Sequence, residues 1–207
     1  MPITAPLINS SSLMKKFSPH LLEQKSASFD AVIFKNSYLN IPETLFYTIE
    51  IDLKDFSFEN NLIATTIALN FIRLDITKLK DLENKTFEFP INPFEGYIDG
   101  SIYLFDVHNP FDVKKIEFKE WKNGSVEAIL HYDIDFEYEN TGYEKIVDQE
   151  LHVSLDRGIL SIDPEILSTE NFSSNKAKQF VSEFVSIEDY EEPEITTGQV
   201  IFKMRRD

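Results

Sequence analysis

A long alternating segment in the second half of the chain constrains the fold more than any other feature. From Val126 to Glu139, apolar residues alternate with residues that are mostly acidic, and a second run follows from Glu144 to Leu155. Alternation with a period of two is typical of a strand with one buried and one exposed face. Because Thr141-Gly142 separates the two runs, we predict an antiparallel hairpin with a two-residue loop.

Shorter strand patterns surround this hairpin and predict a mainly β protein. They occur at residues 30–35, 45–53, 62–74, 86–89, 101–105 and 113–121, with turn signals at 90–100, 108–112 and 123–124. Residues 62–74 are apolar on both faces, so a buried helix is an alternative to a strand there. We predict an antiparallel twisted sheet or sandwich of about seven to nine strands, with a short helical turn within residues 75–84.

The clearest helical pattern lies near the C-terminus. Apolar residues recur there at helical spacing, namely Ala177, Phe180, Val181, Phe184 and Val185. This spacing predicts a C-terminal α-helix that packs one face on the sheet. We expect an irregular N-terminal arm at residues 1–28, a β-rich domain at 29–160, and a helix-containing C-terminal extension at 161–207 packed on the same domain.

The charge balance limits the classes of partner. The chain has 36 acidic and 20 basic residues, a net charge of -16. A surface of this sign repels nucleic acids and anionic membranes. The absence of Cys excludes disulfides and thiolate metal sites. The first twenty residues lack a signal-peptide pattern, and no apolar run approaches the roughly 18 residues of a membrane helix, so we expect a cytoplasmic protein.

The exposed face of the predicted hairpin carries like charges opposite one another. A two-residue loop would pair Asp135 with Asp148, Asp133 with Glu150, Glu139 with Glu144, and His131 with His152. Such like-charge pairs destabilise a sheet by up to about 1 kcal/mol each. Three interpretations remain open: a solvated face to which a neighbouring strand supplies lysines, a docking surface for a basic protein, and a divalent-cation site. The candidate lysines are Lys114, Lys115 and Lys119.

The cation interpretation is the weakest of the three. Carboxylates on one strand face lie ~6.7 Å apart along the chain, which suits a broad basic partner better than a small ion. We therefore predict no metal and no cofactor. The predicted partner-binding residues are Asp133, Asp135, Glu137, Glu139, Asp148 and Glu150, followed by Glu188, Glu191 and Glu192 of a C-terminal acidic stretch.

No motif points to catalysis. Sequences of the types HExxH, GxSxG, GxGxxG and GxxxxGK[ST] do not occur. We predict that the chain is not an enzyme, with an uncharacterised hydrolase using a carboxylate pair as an alternative. A divalent-cation- or carbohydrate-binding β-sandwich module is another. We interpret a group of aromatic residues around the Pro-rich loop as core at one end of the sandwich: Phe94, Tyr97, Tyr103, Phe105 and Phe111.

One segment carries a resemblance to a known group of proteins. The stretch from Phe87 to Leu104, followed by His108–Val113 and the Ile116-Glu-Phe strand, resembles small acidic bacterial proteins associated with polymorphic and contact-dependent toxin immunity. The likeness covers about residues 87–155. It implies a non-catalytic immunity protein that neutralises a bacterial toxin by occluding a basic surface, with the cognate toxin domain as its protein partner. It implies no catalytic residue.

Overall fold

Seven strands close into a barrel in the computed structural model, which describes residues 14–169 and 172–205. The strands are β1 (Gln24–Asn36), β2 (Ile41–Leu53), β3 (Phe56–Phe58), β4 (Asn61–Ile63), β5 (Thr66–Ile72), β6 (Thr86–Glu88), β7 (Asp99–Leu104), β8 (Val107–Lys122), β9 (Ser125–Ile134), β10 (Ile146–Ile162), β11 (Glu194–Thr196) and β12 (Gln199–Lys203). The helices are α1 (Pro164–Thr169) and α2 (Ser174–Val181), with 3-10 turns at Pro19–Leu21, Leu79–Leu82 and Ile187–Asp189.

The barrel order is β1-β2-β5-β7-β8-β9-β10, and β10 pairs back onto β1. Every pair along this path is antiparallel except the closing pair, which is parallel and places Ser28 beside Asp156 and Ile33 beside Ile162. The mainly β prediction is confirmed. The prediction of a sandwich is wrong, because this closing pair joins the strands into a barrel.

The barrel interior is filled by the alternate residues of its strands. Along β9, Val126, Ala128, Leu130, Tyr132 and Ile134 are all buried, which confirms the apolar face predicted for this run. Aromatic rings stack inside, with centroids 5.1 Å apart for Phe29 and Tyr47 and 4.3 Å apart for Phe111 and Tyr132. Removing a large side chain of this kind from water contributes about 1.5–3 kcal/mol, so this interior is the main source of stability.

Residues before and after the barrel add to the same core. Phe17 is buried and makes edge contacts with the rings of Phe58 and Phe136, 5.2 and 5.6 Å away. Strand β1 begins at Gln24, inside the segment 1–28 expected to be irregular, and residues 1–13 of that arm lie outside the described residues. Strand β10 runs to Ile162, two residues past the expected end of the β-rich domain.

The predicted C-terminal helix is present as α2. Ala177 and Val181 are buried on its inner face, and the Ser173 hydroxyl caps it by accepting the N–H of Lys176. The helix ends at Val181, so Phe184 and Val185 of the helical pattern follow it in a turn. Within the described ranges, no helix has the length and apolar character needed to cross a membrane.

The turns predicted at residues 123–124 and 108–112 have different outcomes. Asn123 and Gly124 join β8 to β9 with φ of 53° and 80°, which confirms the predicted hairpin. The turn predicted at residues 108–112 is wrong, because these residues belong to β8. The chain instead turns at Phe105 and Asp106, with φ of 59° and 65°. The buried Asn109 amide then donates to carbonyl groups of this hairpin, including that of Leu104 at 2.9 Å.

The ambiguous segment at residues 62–74 is strand, as favoured by its β-branched residues. It is divided between the end of β4, which forms a separate hairpin with β3, and β5, which pairs with β2 and β7 in the barrel wall. The predicted helical turn within residues 75–84 is present as the 3-10 turn Leu79–Leu82.

Candidate functional site

The acidic hairpin has a different register from the predicted one. Strand β9 ends at Ile134 and β10 begins at Ile146, so residues 135–145 form a longer connection. His131 consequently pairs with Glu150, a shift of two residues. Because a shift of two keeps each side chain on its face, Leu151, Val153 and Leu155 are buried as predicted. The irregularity between Ile146 and Gln149 departs from the prediction, because it buries Ile146 and leaves Val147 exposed. The opposed like-charge pairs are wrong: Asp135–Asp148, Asp133–Glu150 and Glu139–Glu144, as well as His131–His152.

Asp135 causes this change by ending the strand. Its Oδ1 accepts the backbone N–H groups of Glu137 and Tyr138, both at 3.0 Å. Aspartate side chains commonly build turns in this way. Phe136 remains buried beneath the turn, whereas Glu137, Tyr138 and Glu139 are exposed. We call residues 135–145 the acidic loop.

Lysines of β8 neutralise the middle of the β8–β9 surface. Glu117 lies 2.7 Å from the Lys115 ammonium, 3.3 Å from that of Lys119 and 3.0 Å from His131 Nε2. Hydrogen bonds from these partners lower the pKa of Glu117 to about 2. Glu150 lies 3.4 Å from His131 Nδ1. This region, centred on Glu117, matches the interpretation in which a neighbouring strand supplies lysines, and we call it the balanced region.

Asp133 is a structural residue. Only 7% of it is exposed, its carboxylate lies 2.8 Å from the Lys114 ammonium, and its Oδ1 accepts the Asp148 N–H at 2.8 Å. Asp148 has a φ of 54°, marking an irregularity in β10, and its side chain also pairs with Lys114. Lys114 thus holds two of the predicted binding residues in ion pairs, and Asp133 is too buried to meet a partner.

Three carboxylates, those of Asp99, Asp112 and Asp135, accumulate beside the acidic loop. They line a concave site of about 520 Å³ on β7, β8 and the loop before β7. Of the described residues lining it, none is Lys or Arg. We call it the acidic pocket; its carboxylates and the aromatic and imidazole rings around them are Asp99, Asp112, Asp135, Tyr97, Tyr138 and His108.

Asp112 is the electrostatically least favourable group of this pocket. It lies directly opposite Asp133 in the β8–β9 register, and Asp135 follows close by, with its N–H bonded to the Pro110 carbonyl at 3.0 Å. Burial raises the pKa of Asp112, the charges of Asp133 and Asp135 raise it further, and Lys145 and Lys114 oppose the shift. Lys145 lies 3.4 Å from Asp135 at the edge of this group.

The Pro-rich loop at residues 90–98 forms a wall of the acidic pocket. It contains a cis peptide bond between Asn92 and Pro93. Gly100, which follows it, is required by space, because a Cβ there would lie 2.1 Å from the Phe111 carbonyl oxygen. Only glycine therefore permits β7 and β8 to approach this closely beneath the pocket. The sequence analysis missed Asp99 and Asp112 as site residues, although this turn-rich stretch followed by a strand was their available signal.

The aromatic residues near this loop divide into two groups. Phe111 is fully buried, and Phe105 packs on the core with its ring 4.1 Å from that of Tyr143. The core interpretation is wrong for Phe94 and Tyr103, which are exposed, and Tyr97 lines the acidic pocket. Aromatic surface is thus available around the carboxylates.

The C-terminal acids lie among other cations. Glu188 is 3.4 Å from the Lys78 ammonium, and Glu192 pairs with Lys178, which lowers the pKa of Glu192. Glu191 donates its backbone N–H to the Lys203 carbonyl at 2.8 Å. Solvent screens these exposed pairs, so they contribute little to stability, and none of these acids lines the acidic pocket.

The pocket chemistry favours a cationic group. Within residues 14–169 and 172–205, no cluster of three or more His, Asp or Glu side chains is arranged to hold a metal ion. Tyrosine faces and carboxylates together attract ammonium and guanidinium groups through cation–π contacts and charged hydrogen bonds. No family model, curated protein or solved structure matches this chain.

Proposed function

We propose that this chain is a non-catalytic protein-binding protein, and that the acidic pocket and the acidic loop contact a basic surface of its partner. The accumulation of carboxylates at Asp112 carries the proposal. Lysines pair with Glu117 in the balanced region, whereas Asp112 has a raised pKa and lies beside Asp135 in a pocket that no Lys or Arg of the described residues lines. A cationic group from a partner would remove this repulsion and speed association by electrostatic steering.

The acidic loop supplies the exposed part of the proposed contact. Glu137 and Glu139 are exposed on either side of Tyr138, which is 72% exposed. Tyrosine is frequent among the residues that dominate binding energy in interfaces, because its ring is large and rigid. Of the residues predicted from sequence, Asp135, Glu137 and Glu139 therefore form the centre of the proposed surface.

The remaining predicted residues have lesser roles in this proposal. Asp148 and Glu150 are held in pairs with Lys114 and His131, and neither lines the acidic pocket. Three C-terminal acids stay a secondary contact region: Glu188, Glu191 and Glu192.

The more specific proposal is that the partner is a bacterial toxin domain and that this chain is its immunity protein, acting in the cytoplasm. The segment that resembles such proteins, residues 87–155, contains both the Pro-rich loop and the acidic loop. An inhibitor of this kind needs a complementary surface and no cofactor. Occlusion of a basic cleft by the acidic pocket would suffice to block a toxin that acts on a polyanion.

Co-expression with the toxin encoded beside its gene tests this proposal. We expect the chain to restore growth and to form a complex in gel filtration. The triple charge reversal E137K/E139K/E144K changes exposed acids of the acidic loop and leaves the turn-forming Asp135 in place. It should weaken the complex by at least about tenfold, a loss of ~1.4 kcal/mol, and more strongly at low salt.

A matched control separates a local surface from net charge. The triple variant E120K/E127K/D156K makes the same change of charge at three exposed acids outside the acidic pocket. Binding by this control should stay within about twofold of the unchanged chain. An equal loss in both variants would show that only net charge matters, and absence of both rescue and complex would remove the immunity proposal.

A hydrolase is a second candidate, favoured by one observation. Asp112, with its raised pKa, shares a pocket with the carboxyl groups of Asp99 and Asp135, and a carboxyl group of raised pKa in a concave site is a pattern of acid–base catalysis. Assays with nitrophenyl glycosides and esters test it. Turnover that disappears in Asp112→Asn would support a hydrolase, and absence of turnover with both substrate classes would count against it.

A further inference from the structure

A second concave site lies on the outer surface of β1, β2 and β5. It is a groove of about 380 Å³ built around three phenylalanine rings. Phe71 lies 5.5 Å from Phe34 and 5.3 Å from Phe46 between ring centroids, in edge-to-face contact with both. Exposed Leu39 of the β1–β2 turn also lines it. We call it the aromatic groove.

Phe71 is held in the groove by an unfavourable backbone. Its φ is 58°, a conformation that costs a bulky residue about 1–3 kcal/mol. An irregularity in the β2–β5 pairing at this point keeps Leu69 and Ile72 in the core and turns Phe71 outward, where 40% of it is exposed. β-bulges often re-aim a side chain next to a functional site, and this one directs an aromatic ring to the surface.

The aromatic groove adjoins the acidic pocket. Tyr97 and Asp99 line both sites, so the Pro-rich loop stands between them as a shared wall. Glu95 adds a second carboxylate to the groove, and the Arg73 guanidinium lies over the Phe46 ring at 5.2 Å. The two sites together present apolar surface directly beside acidic surface.

We propose that the aromatic groove is the apolar half of the partner interface, and that it receives a large apolar side chain of the partner while a neighbouring Arg or Lys enters the acidic pocket. This inference rests on the proposed function. Carboxylates at the shared wall identify the occupant as apolar and basic at adjacent positions, because an acidic neighbour would be repelled there. The centre of a stable interface is commonly such an apolar anchor beside a charged one.

Short peptides test whether the groove binds an apolar side chain while the pocket binds a basic one. This test needs no knowledge of the partner. In an extended peptide, positions i and i+2 lie on one face about 6.7 Å apart, so the probe is Ac-Phe-Gly-Arg-NH2. Two controls remove one group each: Ac-Ala-Gly-Arg-NH2 lacks the ring, and a citrulline analogue of the probe lacks the charge. Amide shifts of the intact chain in NMR titrations report the groove through Phe71 and the pocket through Asp112.

We expect the probe to shift both sites and to bind about tenfold more tightly than either control, the order expected for burying most of one ring. If the arginine peptides shift only the pocket, the groove proposal is overturned and the proposed function stands. If no peptide shifts the pocket, the proposed function itself fails.

Variants of the groove separate binding from stability. Phe71→Asn replaces the ring with a residue that tolerates positive φ, so the melting temperature should stay equal or rise while the tenfold advantage of the probe disappears. Leu39→Asn should reduce the same advantage of the probe, and because Leu39 is exposed, its replacement should leave the barrel folded. Leu62→Asn, at an exposed leucine of the β3–β4 hairpin, is the matched control. A fall in melting temperature for Phe71→Asn together with unchanged binding by Leu39→Asn would make the groove structural and overturn the inference.

Discussion

The balanced region and the acidic pocket share strand β8 and the outer face of the barrel, yet their electrostatics are opposite. In the balanced region, Lys115, Lys119 and His131 surround Glu117 and lower its pKa to about 2. At the pocket, β8 presents Asp112 opposite Asp133, and burial raises the pKa of Asp112. Towards one end of β8, neighbouring cations stabilise the acid Glu117. Towards the other end, the carboxylates of Asp112 and Asp133 repel each other.

This difference shows why the number of acids along one strand is a poor guide to a binding surface. Asp133 of β9 and Asp148 of β10 both pair with Lys114 of β8, and Glu150 of β10 lies beside His131 of β9. The acidic pocket lies at the end of β8, where Asp112 shares a concave site with the Pro-rich loop and its pKa is raised. A partner would gain most where the protein has not already neutralised its own charge.

The largest effect is expected from removing the lysine that joins the two regions. Lys114→Met should lower the free energy of unfolding by about 2–3 kcal/mol, because buried Asp133 loses its cation. Chemical denaturation at pH 7 measures this, with Lys119→Met as a control that should change it by less than about 0.5 kcal/mol. Equal small effects would show that Asp133 needs no cation.

Asp112→Asn should act in the opposite direction. A raised pKa means that the ionised form is disfavoured in the folded state, so the variant should be more stable at pH 7. The gain should be below about 1 kcal/mol, because solvent screens this partly exposed carboxyl group. This gain should disappear as the pH falls below the ordinary value of 3.8, where the carboxyl group is protonated in both states. Melting temperatures of the variant and the unchanged chain between pH 3 and 7, about the range of this titration, measure the difference in stability. A variant that is less stable at pH 7 would contradict the prediction.

Glu117→Gln should give the smallest effect and the opposite pH profile. A lowered pKa stabilises the folded state above the ordinary value of 4.5, so the variant should melt slightly lower at pH 7. The advantage of the unchanged chain should decrease as the pH falls from 4.5 towards 2. Parallel pH profiles for Asp112→Asn and Glu117→Gln would erase the contrast between the two regions.

Several elements were predictable because their signals are local. The Asn123-Gly124 turn follows from residues that tolerate positive φ. Helix α2 follows from the spacing of Ala177 and Val181, although the loss of helical backbone after Val181 does not. Part of the candidate site was predictable in the same way, since Asp135, Glu137 and Glu139 lie in the acidic segment. Asp112 and Tyr97 were not, because only folding brings the Pro-rich loop onto β8.

The sequence by itself determined which side of the regular part of each long strand is buried, because side chains alternate there whatever the neighbouring strands are. The irregularities at Phe71 and Asp148 break this alternation and were decided by the tertiary structure. Register and closure were decided by tertiary structure alone. The register of β9 and β10 depends on the turn that Asp135 forms in the acidic loop. Closure of the barrel depends on the pairing of β1 with β10, which places Ser28 beside Asp156. The pairing of carboxylates with lysines depends on both, so only the folded chain separates the acids that stabilise it from those left for a partner.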